Sequence, residues 1–363
     1  MNEQFRLNNF DLIRLLAALQ VAVHHAAIHL EVPGWWWGAT QVLPGVPIFF
    51  FVSGFLISKS FENSPHLFDY SRNRALRIFP ALYACTGLAL MSVWLSGYFT
   101  TVQVPGRTLI MWVIGQLTFV QFFNPSFMRG FGSGVLNGSL WTITVEIQFY
   151  CLVPVLYALL RWRTPTRRAE TLGLLALIAV FLTTNQVFMS LNHSQTDELA
   201  VKLIKVTFAP WFYMFLVGVL AQRNFKVFHR ALANRAFLVV PAFVGTAWAG
   251  SRFMGWNLGN QIHPALFLPL AAAIFSLAYT VPGLAERVLN RHDISYGLYI
   301  YHMPVINLMM FNGYMHQFVY VVVALLASLV LAAVSWFVVE RPAIRLKRRS
   351  IHSLAASGAG VTP

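Results

Sequence analysis

One apolar stretch near the start of the chain carries an arginine and a histidine that share a helix face. Residues 10–30 read FDLIRLLAALQVAVHHAAIHL and contain Arg14 and His25, eleven positions apart. A helix turns about 100° per residue, so the two side chains lie within about 20° of one face and roughly 16 Å apart along the axis. Ionisable groups inside an apolar helix are costly and usually face the interior of a bundle. Imidazole transfers protons readily near neutral pH, so this face combines a permanent cation with a side chain, His25, that is suited to moving a proton.

Neighbouring ionisable groups bear on this interpretation. Asp11 stands three residues before Arg14, so a local ion pair that lowers the cost of burying both is an alternative to a role in the site. His24 points well away from the line of Arg14 and His25, whereas His29 lies one turn further along on nearly the same face. Of the two adjacent histidines, the helix phase therefore favours His25.

A glutamate stands inside a later apolar stretch. Glu146 lies in NGSLWTITVEIQFY, near the end of a predicted span that faces away from the cytoplasm. At such a position it is either a buried partner for a cation or a catalytic carboxylate, and a functional role is favoured.

Three arginines precede the third apolar stretch, in YSRNRALRIFPALY. Arg72, Arg74 and Arg77 are consistent with the excess of basic residues on the cytoplasmic side of membrane proteins. Arg74 and Arg77 are also three positions apart, so they share a helix face and are predicted to grip one anion together. Guanidinium groups suit bidentate contact with phosphate. Anion binding is therefore slightly favoured over a purely topological role.

Smaller polar groups complete the set of candidates. Ser53 and Gly54, in GVPIFFFVSGFLIS, are best explained by close helix packing. In ISYGLYIYHMPV, Ser295, Tyr299 and His302 fall on one helix face and form a plausible wall of a central cavity, although a lone histidine is more often structural. Zinc-binding patterns, glycine-rich phosphate loops and nucleophile elbows are absent from the sequence, so no metal is expected.

Composition defines the elements that must position these groups. Hydrophobic residues make up 57% of the 363-residue chain and charged residues only 10%, against about 25% charged in soluble domains. We therefore expect an all-α polytopic membrane protein in contact with the lipid bilayer. The net charge of +14 lies in short loops between apolar stretches, which argues against a nucleic-acid partner. A single membrane-embedded domain is predicted over 1–349, with a short disordered cytoplasmic tail at 350–363.

Eleven apolar segments can be drawn, and loop charge orients them. They are 10–30, 44–60, 77–98, 108–123, 140–160, 171–190, 204–221, 236–250, 265–281, 294–311 and 318–339. Basic loops place Arg72 and Arg161 on one side, although three segments separate them. We therefore predict about ten transmembrane helices, cytoplasmic termini, and a re-entrant or half-spanning segment at 108–123. The alternative is that 108–123 crosses and the following glycine-rich stretch folds back.

The ordered motifs resemble the acyltransferase-3 family of integral membrane acyltransferases over about residues 8–345. FDLIRLLAALQVAVHH is similar to its arginine-and-histidine block, with Arg14 and His25, and GVPIFFFVSGFLIS to its second block. RALRIFPALY resembles its arginine-pair block, SLWTITVEIQFY its tryptophan-to-glutamate block, and ISYGLYIYHMPV with VVERP its final helices. Pro47 and Phe51 are small departures within the second block.

The resemblance implies transfer of an acyl group, most commonly acetyl, from cytoplasmic acyl-CoA to a hydroxyl of a cell-envelope saccharide at the bacterial inner membrane. His25 would be a general base on the acceptor or carry a transient acyl group. Arg14 would steady the CoA end, and Glu146 would orient His25 or an acceptor hydroxyl. The expected CoA-binding residues are Arg72, Arg74 and Arg77, and the expected substrate-binding residues are Ser53, Trp141, Tyr299 and His302. A secondary transporter or flippase for a glycan carrier is the alternative function, and a non-catalytic scaffold is a third.

Overall fold

The computed structural model describes residues 8–63, 65–163, 166–194, 198–290 and 292–346. Over these residues the regular structure is helical, without strands. The tail expected at 350–363 lies outside them.

The described residues contain fifteen α-helices, numbered in chain order. They are α1 Phe10–His29, α2 Gly45–Asn63, α3 Leu67–Leu95, α4 Tyr98–Thr101, α5 Gly106–Leu117, α6 Trp141–Arg163, α7 Arg167–Ser194, α8 Leu199–Lys205, α9 Phe212–Arg223, α10 Phe225–Leu232, α11 Ala236–Met254, α12 Pro264–Ala278, α13 Leu284–Leu289, α14 Ser295–Phe311 and α15 Phe318–Ser335. Short 3₁₀ turns cover Trp35–Gln41, Ser126–Met128 and Gly259–Gln261, and a π-helical turn, Trp336–Glu340, extends α15.

Seven helical stretches in the described residues are long and apolar enough to cross a membrane: Phe10–His29, Trp37–Asn63, Leu67–Leu95, Trp141–Leu160, Arg167–Ser194, Ala236–Met254 and Phe318–Leu346. Helices α9 and α12 are apolar but shorter. The expected class, an all-helical multi-pass membrane protein, is thereby confirmed. The number of crossings and the side of the termini stay predictions.

The bundle has two ends, named here by their charged residues. The arginine end holds Arg14 and Arg77, and the histidine end holds His24 and His25. Asp293, just before α14 begins, pairs with Arg14, and His302 further along α14 lies beside His25. Helix α14 therefore runs beside α1 in the same direction. The backbone amide of His316 donates to the carbonyl of Leu30, which places the start of α15 at the histidine end. In the described residues α1, α2, α3, α6, α7, α9, α11, α12, α14 and α15 alternate in direction between the two ends.

Residues 106–140 leave and rejoin the same end of the bundle. Helix α5 has twelve residues and is about 18 Å long, well short of the roughly 30 Å of a bilayer core. After α5, the ring of Phe119 reaches the ring of Phe79, with centroids 6.3 Å apart. The chain then returns to Trp141, which shares a pocket with His24 at the histidine end. This path has the shape that was expected of a half-spanning element.

An asparagine on α14 holds the returning segment. Oδ1 of Asn307 accepts hydrogen bonds from the backbone amide and the hydroxyl of Ser133, at 3.0 and 2.8 Å. Its Nδ2 donates to the carbonyls of Val135 and Leu136, at 2.9 and 3.1 Å. Irregular backbone inside an apolar bundle needs such partners because water is excluded there. Asn307 therefore supplies the hydrogen bonds that a helix would have made within itself.

Glycines bring α2 and α9 into close contact. A Cβ atom at Gly54 would lie 2.0 Å from the carbonyl oxygen of Phe215, and one at Gly218 would lie 2.1 Å from that of Phe51. Both helices are therefore in backbone contact at this crossing, as small residues permit. The packing role expected of Gly54 is seen in this contact. Ser53 beside it has a different partner, Glu146.

Candidate active site

The sequence-predicted histidine has a second histidine as its partner. Nδ1 of His25, on α1, lies 2.9 Å from Nε2 of His302, on α14. His302 is fully buried, and its Nδ1 faces the carbonyl oxygen of Leu298 at 3.3 Å. A carbonyl oxygen can only accept, so Nδ1 of His302 carries the hydrogen and its Nε2 accepts one. His25 must then donate through Nδ1, which leaves Nε2 of His25 unprotonated and able to take a proton.

The neighbouring His24 has its ring nitrogens in other hydrogen bonds. Its Nδ1 lies 2.9 Å from the hydroxyl of Thr40, and that hydroxyl donates to the carbonyl of Trp37 at 2.6 Å. Its Nε2 lies 3.2 Å from the side-chain nitrogen of Gln41. Thr40 and Gln41 belong to the 3₁₀ turn at the histidine end, so His24 and His25 face different elements. The expected difference in helix phase is present in the structure.

Arg14 pairs with an aspartate that the sequence interpretation missed. Its guanidinium lies 2.6 Å from Oδ2 of Asp293, and Arg77 donates to the same oxygen. The other oxygen of Asp293 accepts from the amide and hydroxyl of Ser295 at the start of α14. Asp11 is exposed, and Arg14 forms no ion pair with it. The carboxylate in direct contact with Arg14 is therefore that of Asp293, while Asp11 attracts Arg14 from beyond salt-bridge distance. The signal in the sequence was the position of Asp293 itself, just before a predicted helix start, where aspartate is a favoured capping residue.

The arginines on α3 have separate surroundings. Arg77 touches Asp293 and lies 4.0 Å from the buried carboxylate of Glu340. Arg74 instead donates to the hydroxyl of Ser60 at 3.2 Å and lies over the ring of Tyr150. The buried Nε of Arg74 has no hydrogen-bond partner in the described residues. Arg72 lies half-buried earlier on α3. Arg77 is held by acidic side chains, whereas Arg74 contacts Ser60 and Tyr150, so the two guanidinium groups have different protein partners. Their shared grip on one anion stays a prediction.

Glu146 lies with Arg14, not with His25. One of its oxygens accepts hydrogen bonds from the hydroxyl of Ser53, at 3.0 Å, and from that of Tyr150. Arg14, Ser53, Glu146 and Tyr299 line a common cavity of about 30 Å³, which is room for a water molecule or two. The expected depth of Glu146, level with His25 and opposite the arginines, is wrong. The group hydrogen-bonded to His25 is His302.

One face of α14 links these clusters. Ser295 holds Asp293 at the arginine end, and His302 holds His25 at the histidine end. Between them, the hydroxyl of Tyr299 lies 2.6 Å from that of Thr142, and its ring centroid lies 5.9 Å from that of His302. The polar face predicted for this helix is therefore continuous along the bundle, from an ion-paired cluster to a proton-accepting nitrogen.

Two further expectations concern Trp141 and metals. Trp141, the first residue of α6, lines a pocket at the histidine end and packs against Trp211, with ring centroids 5.6 Å apart. In the part of the chain that the structure describes, no group of three or more His, Cys, Asp or Glu residues is placed to hold a metal ion.

Comparisons with known proteins bear on this arrangement. The family model of an acyltransferase domain, Acyl_transf_3, matches residues 7–338. Nodulation protein 10 of Rhizobium leguminosarum bv. viciae is 29% identical over 355 residues, which cover 94% of each chain. The O-acetyl transferase of Shigella phage Sf6 is 26% identical over 342 residues, 92% of this chain and 95% of the relative. No solved structure matches the chain.

These matches decide between the functions that the buried charges left open. In the described part of the chain, the family match extends over all ten helices that run between the ends of the bundle. The enzyme interpretation is confirmed over the transporter and scaffold alternatives. The chain belongs to the acyltransferase-3 family and is a multi-pass membrane acyltransferase.

Proposed function

We propose that the protein transfers an acyl group, acetyl above all, from acyl-CoA to a hydroxyl of a cell-envelope saccharide. It would act in the bacterial inner membrane, with acyl-CoA entering at the arginine end and the saccharide at the histidine end. The observation that carries the proposal is the hydrogen bond between His25 and His302, which presents a basic nitrogen at the histidine end. A relative that is an O-acetyl transferase supports acetyl as the transferred group.

In the proposed reaction, Nε2 of His25 takes the proton of the acceptor hydroxyl while the hydroxyl oxygen attacks the thioester carbonyl. The carbon–sulfur bond then breaks, and CoA leaves as a thiolate that receives the proton from His25. The products are the ester and CoA with a free thiol. His302 keeps Nδ1 of His25 occupied, so Nε2 is the nitrogen that exchanges the proton.

A covalent route through the same nitrogen is the alternative. There Nε2 of His25 attacks the thioester itself and carries the acyl group to the acceptor. Rapid denaturation near neutral pH during a single turnover with labelled acetyl-CoA, which avoids the acid hydrolysis of an acyl-imidazole, separates the routes, because only the covalent route leaves label on the protein. We expect no labelled protein, and label on His25 would replace the general-base role with the covalent one.

The donor's phosphates are assigned to the arginine end. Arg74 has an unpaired buried N–H group and lies near the hydroxyl of Ser60 and the ring of Tyr150. Arg72 on the same helix would add a second cation. Arg77 and Arg14 are tied to Asp293, so we assign them to holding α1, α3 and α14 together at the donor side.

Ten crossings and cytoplasmic termini complete the proposal. Basic residues at or near helix ends, including Lys59, Arg167 and Lys226, lie at the arginine end. Basic loops mark the cytoplasmic side, so this end would face the cytoplasm and its acyl-CoA. The path of residues 106–140 would then dip into the membrane from the outer side and return to it.

Mass spectrometry of the envelope saccharides tests the proposed function. Cells that produce the wild-type protein should carry an ester mass increment on a saccharide, and cells with an equal amount of the His25→Ala variant should lack it. An identical saccharide profile in both strains would contradict the proposal.

A further inference from the structure

A pocket at the histidine end lies outside the contacts described for proton transfer. It has a volume of about 300 Å³, at the lower end of the range for small-molecule sites. Its lining includes Gln20, Gln41, Trp141, Lys205, Asn260 and Gln261. These residues come from α1, the first 3₁₀ turn, α6, α8 and the turn before α12. Five separate elements therefore converge on one polar opening.

The lining suits a sugar. Side-chain amides both donate and accept, as sugar hydroxyls do, and four of the lining residues carry amides. Among the described residues, the amides of Asn260 and Gln261 have no hydrogen-bond partner and stay available to a ligand. Trp141 offers an aromatic ring held against the buried Trp211, whose indole N–H donates to the carbonyl of Lys205 at 2.9 Å. A rigid indole beside open amides forms a platform for a pyranose ring.

The pocket also has a positive charge without a protein counterion. Lys205 is the last residue of α8, and its ammonium pairs with no carboxylate in the described residues. None of the residues that line the pocket is acidic. A cation in a polar site of this kind favours a ligand with a negative charge.

The position of the pocket relates it to the reaction. His24 lines it, and His25 is the next residue of α1. Trp141 is followed by Thr142, whose hydroxyl meets that of Tyr299, and the ring of Tyr299 lies against that of His302. A ligand in this pocket would therefore lie against α1, which carries His25, and against the start of α6, which carries Thr142.

We propose that this pocket binds the acceptor, and that Lys205 selects a saccharide that carries an anionic group. The inference rests on the proposed acyl transfer and adds the acceptor's chemical class. The shared chemistry is a negative charge beside sugar hydroxyls, which either a uronic-acid carboxylate or a sugar phosphate would supply.

Binding without acyl-CoA tests the pocket apart from catalysis. The purified full-length protein in nanodiscs would be titrated with a glucuronate-containing oligosaccharide, with its neutral glucose counterpart and with glucose 1-phosphate, followed by quenching of tryptophan fluorescence. We expect an anionic probe to bind about tenfold or more tightly than the neutral one, the scale of one charge-assisted contact. The two anionic probes separate a carboxylate from a phosphate as the recognised group.

Matched variants test whether Lys205 is the cause of the preference for anionic over neutral probes. Lys205→Gln should bind the anionic and neutral probes alike, whereas Lys202→Gln on the same helix, outside the pocket, should keep the preference. Asn260→Ala should weaken all of the probes that bind. Equal binding of all three probes to the wild-type protein, or a preference that survives Lys205→Gln, would overturn the inference.

The proposed function has its own control. His25→Ala should bind the probes as the wild type does but transfer no acetyl group. If the wild-type protein transfers acetyl groups to envelope saccharides but binds none of the probes, the pocket is not the acceptor site. The proposed acyl transfer would be unaffected by that result.

Discussion

At the scale of single residues, helix phase predicted the reactive histidine but not its partner. His25 shares a face with Arg14 because of their spacing in the sequence. His302 and Asp293, which contact them, lie more than 270 positions away in the chain. No local pattern encodes which distant side chain meets a buried group, since helix packing decides it. The direct contact of Arg14 is likewise with Asp293, a carboxylate distant in the sequence, and not with Asp11 three residues away.

The histidine pair predicts different outcomes for three variants. His25→Ala should lower acetyl transfer at least about a hundredfold, the usual contribution of a general base. His302→Phe should lower kcat about ten- to a hundredfold with KM for acyl-CoA nearly unchanged, because the ring of His25 loses its orienting partner. His24→Ala should retain a substantial part of the activity. Steady-state kinetics on purified protein checks all three, and equal losses for His24 and His25 would refute the helix-phase argument.

Substitutions of Arg74 and Arg77, both on α3, should have different effects. Arg74→Ala should raise KM for acyl-CoA about tenfold or more, since a charge-assisted contact contributes about 1.5–3 kcal/mol. Added salt should weaken binding by the wild type in the same direction. Arg77→Ala should lower the thermal midpoint with a smaller effect on KM, because Arg77 is paired with Asp293. If acyl-CoA affinity were lost only in Arg77→Ala, Arg77 and not Arg74 would be the residue that binds the phosphates.

At the scale of helices, the sequence predicted the elements better than their contacts. The apolar segments near 10–30, 140–160 and 318–339 correspond to α1, α6 and α15. The twelve-residue α5 was also foreseen as a short element. The hydrogen bonds of Asn307 to residues 133–136 were not foreseen, because an asparagine in an apolar helix has no pattern that names its partner. Such irregular backbone is specified by single side chains rather than by periodicity.

The crossing of α2 and α9 predicts a stability difference between two glycines. Gly54→Ala places a methyl group against the backbone of α9, so we expect a loss of roughly 1–3 kcal/mol. Gly87→Ala in α3 has open space at the same atom and should be neutral or stabilising by up to about 1 kcal/mol. Thermal unfolding in detergent compares them, and equal midpoints would show that the close contact is relaxed in solution.

At the scale of the whole molecule, the alternating helices predict which loops share a side of the membrane. Thr101 and Ser126 are exposed near the histidine end, and Ser71 is exposed near the arginine end. Single cysteines at these positions, without Cys85 and Cys151, can be treated with an impermeant thiol reagent on intact cells. Thr101→Cys and Ser126→Cys should react, and Ser71→Cys should react only after the membrane is opened. Protection of Ser126→Cys alone would mean that residues 108–123 cross the bilayer.

The most direct test of the central claim combines sidedness with the reactive histidine. Membrane vesicles turned inside out expose the arginine end, while right-side-out vesicles expose the histidine end, and each can be supplied with labelled acetyl-CoA. We expect label in envelope saccharide only in inside-out vesicles with the wild-type protein, and none with His25→Ala. Equal labelling in right-side-out vesicles, or wild-type labelling by His25→Ala, would contradict it.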